Sequence, residues 1–109
     1  MTAIKSYDLY EVSAADLTQA RTLIEARLGL VMAEHESGYQ GGIYFRAGQL
    51  GDENLILKTN IDSEDQLPAE SAHPDSRFLL YVSETTRSET VRQLLTCDGT
   101  CRLLRHEDL

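Results

Sequence analysis

Within one short stretch the apolar residues of this chain change their period. Leu17, Ala20, Ile24 and Leu28, with Leu23 beside them, fall three or four apart and draw one apolar stripe along a helix. Ser13, with Asp16 three residues on, is a candidate N-cap close to a capping box. Gly29 supplies the left-handed position that ends the helix. From Leu30 the period falls to two. LVMAEHE (30–36), GIYFRA (42–47) and NLILKTNI (54–61) read as strands, the last with Leu55, Leu57, Thr59 and Ile61 on one face. GQLGDE between the second and third of these is a Gly-Asp turn, so the three should form an antiparallel meander.

The rest of the chain completes a layered fold. YDLYEV (7–12) alternates and is rich in aromatic and β-branched residues, as a strand requires. RFLLYV (77–82) is an almost unbroken apolar run, the pattern of a central strand covered on both faces. A second helix follows at about Ser88 to Leu95, with Val91, Leu94 and Leu95 as its apolar side, and an Asp98-Gly99 turn leads into a last strand, CRLLRH (101–106). The order β-α-β-β-β-β-α-β predicts an α+β fold: a mainly antiparallel sheet of five to six strands carrying two helices, for which a ferredoxin-like layout with an addition is one solution. At 109 residues the chain has room for one domain, 1–109.

HESGYQGGIYFR (35–46) carries three glycines in five positions and invites a search for chemistry. A phosphate cradle needs its glycines to open a helix, so that free N–H groups face the anion. Here strand-forming residues stand on both sides and no nucleotide-binding spacing is present, so Gly38, Gly41 and Gly42 read as a hairpin turn. His35 has no metal-binding partner at a recognised spacing, and His73 and His106 lie far along the chain. Cys97 and Cys101 have three residues between them where a redox pair has two, and only His106 stands near them, so they read as thiols flanking a turn. No nucleophile elbow is present. The sequence thus gives no catalytic, cofactor or metal site. The N-terminus lacks a signal-peptide pattern and no segment is a membrane span, which predicts a cytoplasmic protein.

Charge is the feature above background. Eighteen acids against ten bases leave a formal −8, a field that repels nucleic acid and anionic membrane and favours basic partners. NIDSEDQLPAESAHPD (60–75) holds both prolines, five acids and no Lys or Arg. It reads as a long loop, a length that in a compact domain is most often functional or disordered. Asp62, Glu64, Asp65, Glu70 and Asp75 are the candidate docking charges, where paired charge raises association rate and specificity. Tyr39, Tyr44 and Tyr81 are candidate aromatic anchors.

HESGYQGGIYFR, ENLILKTNID and FLLYVSETTRSETVRQLL resemble small immunity proteins of contact-dependent growth inhibition and related polymorphic toxin systems. The likeness spans residues 30–95 and lies in a glycine hairpin, a strand end and a strand-to-helix turn, so no active residue is carried over. It implies a non-enzymatic protein that binds and neutralises a cognate toxin C-terminal domain, often a nuclease with a basic cleft. Against it stands a metalloenzyme or ligand-binding dimer, because the first half, closing its helix on ARLGL, has the shape of a glyoxalase/bleomycin-resistance module. That module needs His and Glu ligands on its strands, and here the first strand offers only Glu11. A regulatory or scaffold domain for another basic protein is a third class.

Overall fold

The computed structural model describes residues 4–37, 42–49, 51–61 and 67–108. Its elements are β1 (Ser6–Val12), α1 (Leu17–Leu28), β2 (Ala33–Ser37), β3 (Gly42–Gly48), β4 (Asn54–Thr59), β5 (Phe78–Thr85), α2 (Ser88–Thr96) and β6 (Cys101–Asp108). The strands form one six-stranded sheet, ordered β2-β3-β4-β5-β1-β6, with every neighbouring pair antiparallel. This is the α+β fold, with the element order, that the sequence predicts. Among the described residues no helix is long and apolar enough to cross a membrane.

The sheet order has a frame and an addition. β4-β5-β1-β6, with α1 preceding β4 and α2 joining β5 to β6 across β1, is the ferredoxin-like arrangement of two interleaved β-α-β units. The β2–β3 hairpin is inserted between α1 and β4 and lengthens the sheet beyond β4. Ser37 pairs with Gly42, so the glycine stretch does join two antiparallel strands; Gly38, Tyr39 and Gly41 themselves lie outside the described residues.

Helix α1 starts three residues later than Ser13 would place it. Asp16 is the N-cap, extended at φ −151°, and its Oδ1 accepts from Gln19 N at 2.8 Å. Gln19 returns the contact through Oε1, which accepts from Ala15 N at 2.6 Å. The true box is therefore D-L-T-Q, and the Ser13–Asp16 spacing pointed one turn too early. At the other end Gly29 takes φ 65° and its N–H donates to Glu25 O at 2.9 Å. The Glu25 carboxylate then accepts from Met32 N at 2.8 Å, which steers the chain into β2 and leaves Leu30–Met32 as a linker where a strand was expected.

Residues alternate across the sheet. Tyr10, Val12, Leu55, Leu57, Phe78, Leu80 and Val82 face the helices and pack with Ala20, Ile24, Leu28, Val91 and Leu95. Leu9 and Leu79 point to the opposite face and are nonetheless almost fully buried, at 1 % and 0 % exposure. Strand β5 is thus covered on both faces, as its apolar run predicts. Ile61, expected in line with Leu55 and Leu57, lies beyond the end of β4 and is 40 % exposed.

Gly48 closes β3 at φ 81°, where an added Cβ would sit 2.1 Å from Glu53 O. Gly48→Ala therefore meets both an unfavourable backbone conformation and immovable backbone atoms, and is expected to destabilise by about 2–4 kcal/mol. Gly29→Ala meets only the conformational cost, about 1 kcal/mol, because nothing lies within 4 Å of its Cβ. Urea denaturation of the two variants measures the difference.

Candidate functional site

Residues 67–76, which hold most of the described part of the acidic segment, are folded back over the sheet face that the helices leave open. Asn60, 6 % exposed, pins it. Its Nδ2 donates to His73 O at 2.9 Å and to Ser76 O at 2.8 Å, and its Oδ1 accepts from Glu70 N at 2.9 Å. Glu70 then reaches the sheet: Oε1 accepts from the Tyr81 hydroxyl at 2.6 Å, and Oε2 is 3.3 Å from Arg105 Nη1. Burial and this carboxylate both push the Tyr81 phenol well above its usual range. Ser76 Oγ donates to Glu11 Oε1 at 2.7 Å, and Arg102 Nε lies 3.1 Å from Glu11 Oε2. These contacts span β5, β1 and β6 on the side of Leu9 and Leu79, and so roof those residues.

The candidate docking residues consequently separate. Glu70 turns inward, its charge already matched by Arg105, and Tyr81 is its hydrogen-bond donor. Asp75 is exposed and borders a small depression with Arg77 and Glu11. Tyr44, on β3, stacks on His35 of β2 with ring centroids 5.4 Å apart. Asp62, Glu64, Asp65 and Tyr39 lie outside the described residues.

A second cluster was not foreseen. The sheet register sets Asp8 of β1 opposite His106 of β6, and α2 begins above them at Ser88. The side chain of Asp8 is fully buried; Oδ2 accepts from Ser88 Oγ at 2.5 Å, and Oδ1 contacts His106 Nδ1. His106 Nε2 is 3.1 Å from Asp108 Oδ1, which also accepts from Ser6 Oγ at 2.5 Å. Ser88, His106 and Asp8 are the residue types of a hydrolytic triad in the wrong connectivity. A triad needs the serine on Nε2 and the carboxylate on Nδ1. Here Ser88 Oγ lies 3.3 Å from Nδ1, the nitrogen that Asp8 also holds, while Nε2 is taken by Asp108, so serine and histidine share one carboxylate and the order of a triad is not formed. The arrangement is an ion-pair clasp between the sheet edge and α2. The hydrogen bond that His106 donates to Asp8, reinforced by the one to Asp108, raises the His106 pKa.

The two cysteines flank the Asp98-Gly99 turn as free thiols. Burial pushes Cys101 up to about 12, which makes it unreactive at neutral pH. Cys97 is exposed, 2.7 Å from Arg27 Nη1, and Arg27 also pairs with Asp98. Hydrogen bonds from Thr100, ahead of that from Arg27, hold Asp98 down at about 2. Among the described residues no three His, Cys, Asp or Glu side chains converge in a group able to hold a metal ion.

No protein-family model matches this chain, and no curated protein or solved structure matches it either.

Two expectations follow from this geometry. Asn60→Ala takes the side-chain partner from the Glu70 N–H and the Ser76 carbonyl, while His73 O keeps its bond from Ser76 N, and should destabilise by about 2–3 kcal/mol while raising hydrogen exchange across residues 67–76. The His106 clasp stabilises the fold fully below the ordinary histidine pKa of 6.5, and that contribution is lost as pH rises through the higher folded-state value. Thermal unfolding between pH 6 and pH 9 (roughly the histidine range) should fall more for the parent chain than for His106→Gln. Equal slopes would show that the clasp carries no net stability.

Proposed function

We propose that this protein is an immunity protein: a non-enzymatic inhibitor that acts in the cytoplasm by binding the C-terminal toxin domain of a contact-dependent growth-inhibition or related polymorphic toxin system, the toxin being a basic domain such as a nuclease. The reading rests on the resemblance of residues 30–95 and on one structural observation, the way the charges are distributed. Arg21, Arg27, Arg87, Arg102 and Arg105 are engaged in ion pairs within the fold, with Glu25, Asp98, Glu53, Glu11 and Glu70. Glu34, Glu36, Asp52, Asp75 and Glu89 remain exposed with no ion pair among the described residues. The net charge of −8 is therefore carried largely by carboxylates that face solvent and are available to an incoming cation.

The decisive experiment is co-expression with the C-terminal domain of the large secreted protein encoded immediately upstream. Cell survival and co-purification as a one-to-one complex are expected; survival without a complex, or no rescue, would remove the reading. The charges of the 60–75 segment divide in the same assay. Neutralising Asp62, Glu64, Asp65 and Asp75 together should leave the fold intact and slow association by about tenfold at low salt, with the difference shrinking as salt is added. Glu70→Gln belongs in a separate variant, because it perturbs Tyr81 and Arg105 before it touches a partner. Stopped-flow association at two ionic strengths distinguishes the effects.

A further inference from the structure

β2 is an outer strand, and among the described residues nothing pairs with its outward edge. The alternate backbone N–H and C=O groups that do not bond to β3 face solvent, and an edge of this kind is a template for another strand. The opposite outer strand is a poorer template. In β6 a register shift between Leu9 and Tyr10 skips Leu104, and its exposed side chains mix signs through Arg105 and Glu107. β2 has no such break: Ala33 to Ser37 pair in unbroken register with Arg46 to Gly42.

The side chains of β2 define what an added strand must carry. Glu34 and Glu36 stand opposite Phe45 and Ile43, on the helix side of the sheet, exposed and without an ion pair among the described residues. Ala33 and His35 lie on the other side, where they and Val31 (81 % exposed) border an open concavity of about 690 Å³. Arg46 lines the same concavity. A cation is therefore favoured beside the glutamates and disfavoured over Arg46, so a slip of one residue would bring every charge onto the wrong side. The same carboxylates argue against a second copy of this chain. In an antiparallel pairing of β2 with itself centred on Glu34, His35 or Glu36, a glutamate faces a glutamate, which is destabilising.

We infer that β2 receives, by strand addition, an extended segment of a partner protein in which basic residues alternate with apolar ones, the basic set beside Glu34 and Glu36 and the apolar set over Ala33, His35 and Val31. This rests on the reading of the chain as a protein-binding module, and it assigns the strand contact to the inserted hairpin, leaving the 60–75 charges to speed the encounter. Main-chain hydrogen bonds would give the affinity and the alternation the register.

The probe is a synthetic peptide of about nine residues, within the range of natural strands, alternating Lys with Val. It is compared with a peptide of identical composition in block order, and with one N-methylated on the alternate residues that would face β2. Fluorescence anisotropy gives affinity, and ¹⁵N–¹H spectra locate the site. Shifts at residues 31–37, at least about tenfold weaker binding of the block peptide, and loss on N-methylation are expected. Glu34→Lys with Glu36→Lys, both at exposed positions, should reverse the preference towards a Glu/Val peptide. Equal binding of alternating and block peptides would reduce the effect to net charge, and shifts at β6 or a doubled mass in sedimentation would name a different interface; each overturns the inference. Toxin neutralisation that survives Glu34→Lys with Glu36→Lys, with no peptide selectivity, would remove this site and leave the immunity reading standing. Peptide selectivity in the absence of any neutralised toxin would do the reverse.

Discussion

Leu9 and Leu79 point away from the helices, and a strand with apolar side chains on both faces needs cover on both. Two helices supply it on one side. On the other no helix lies among the described residues, and the connection between β4 and β5 turns back and serves as a roof. That requirement explains why a segment of polar residues is built around Asn60, the side chain best suited to bond backbone groups from several directions at once. It also explains why the largely covered carboxylates of Glu11 and Glu70 are matched by Arg102 and Arg105, whose side chains stay exposed at the rim of the roof.

Much of the architecture was legible because it follows from period. The 3.6-residue stripe of α1, the alternation of β3 and β4, and the unbroken run of β5 are each set by which faces are buried, and burial is what sequence patterns record. Errors fell where short polar signals compete. Ser13 and Asp16 are both good caps, and only the presence of Gln19 three residues beyond Asp16 decides between them. The 60–75 segment read as a loop, which its described residues are, but its composition gave no sign that Glu70 would face inward. The Asp8 clasp was hidden for a different reason: its members are 80 and 98 residues apart, and only strand register unites them. One signal was present. Asp8 shares a face of β1 with Tyr10 and Val12, and a carboxylate in line with core residues demands a partner.

The frame and the inserted hairpin have different obligations. β4, β5, β1 and β6 bury their apolar residues against α1, α2 and the 67–76 roof, and most of their polar groups are matched within the fold. In the hairpin, Phe45 is buried beneath α1, where the Arg21 guanidinium lies 4.8 Å from its ring, but Val31, Glu34, His35, Glu36 and Ile43 are turned to solvent. A surface that keeps unmatched charge, aromatic area and open backbone together is what recognition uses and what stability alone would not select.

The position of β1 governs how this chain can assemble. It is the first strand in sequence, yet it lies between β5 and β6, with Ser6 paired to Thr85 on one side and to Asp108 on the other. β1 therefore waits for segments made some eighty and a hundred residues after it, while the meander from β2 to β4 can pair locally and early. During synthesis the emerging chain holds β1 without its neighbours until β5 and then β6 are made, and a truncation that removes β6 would leave β1 as an unpaired edge of the sheet.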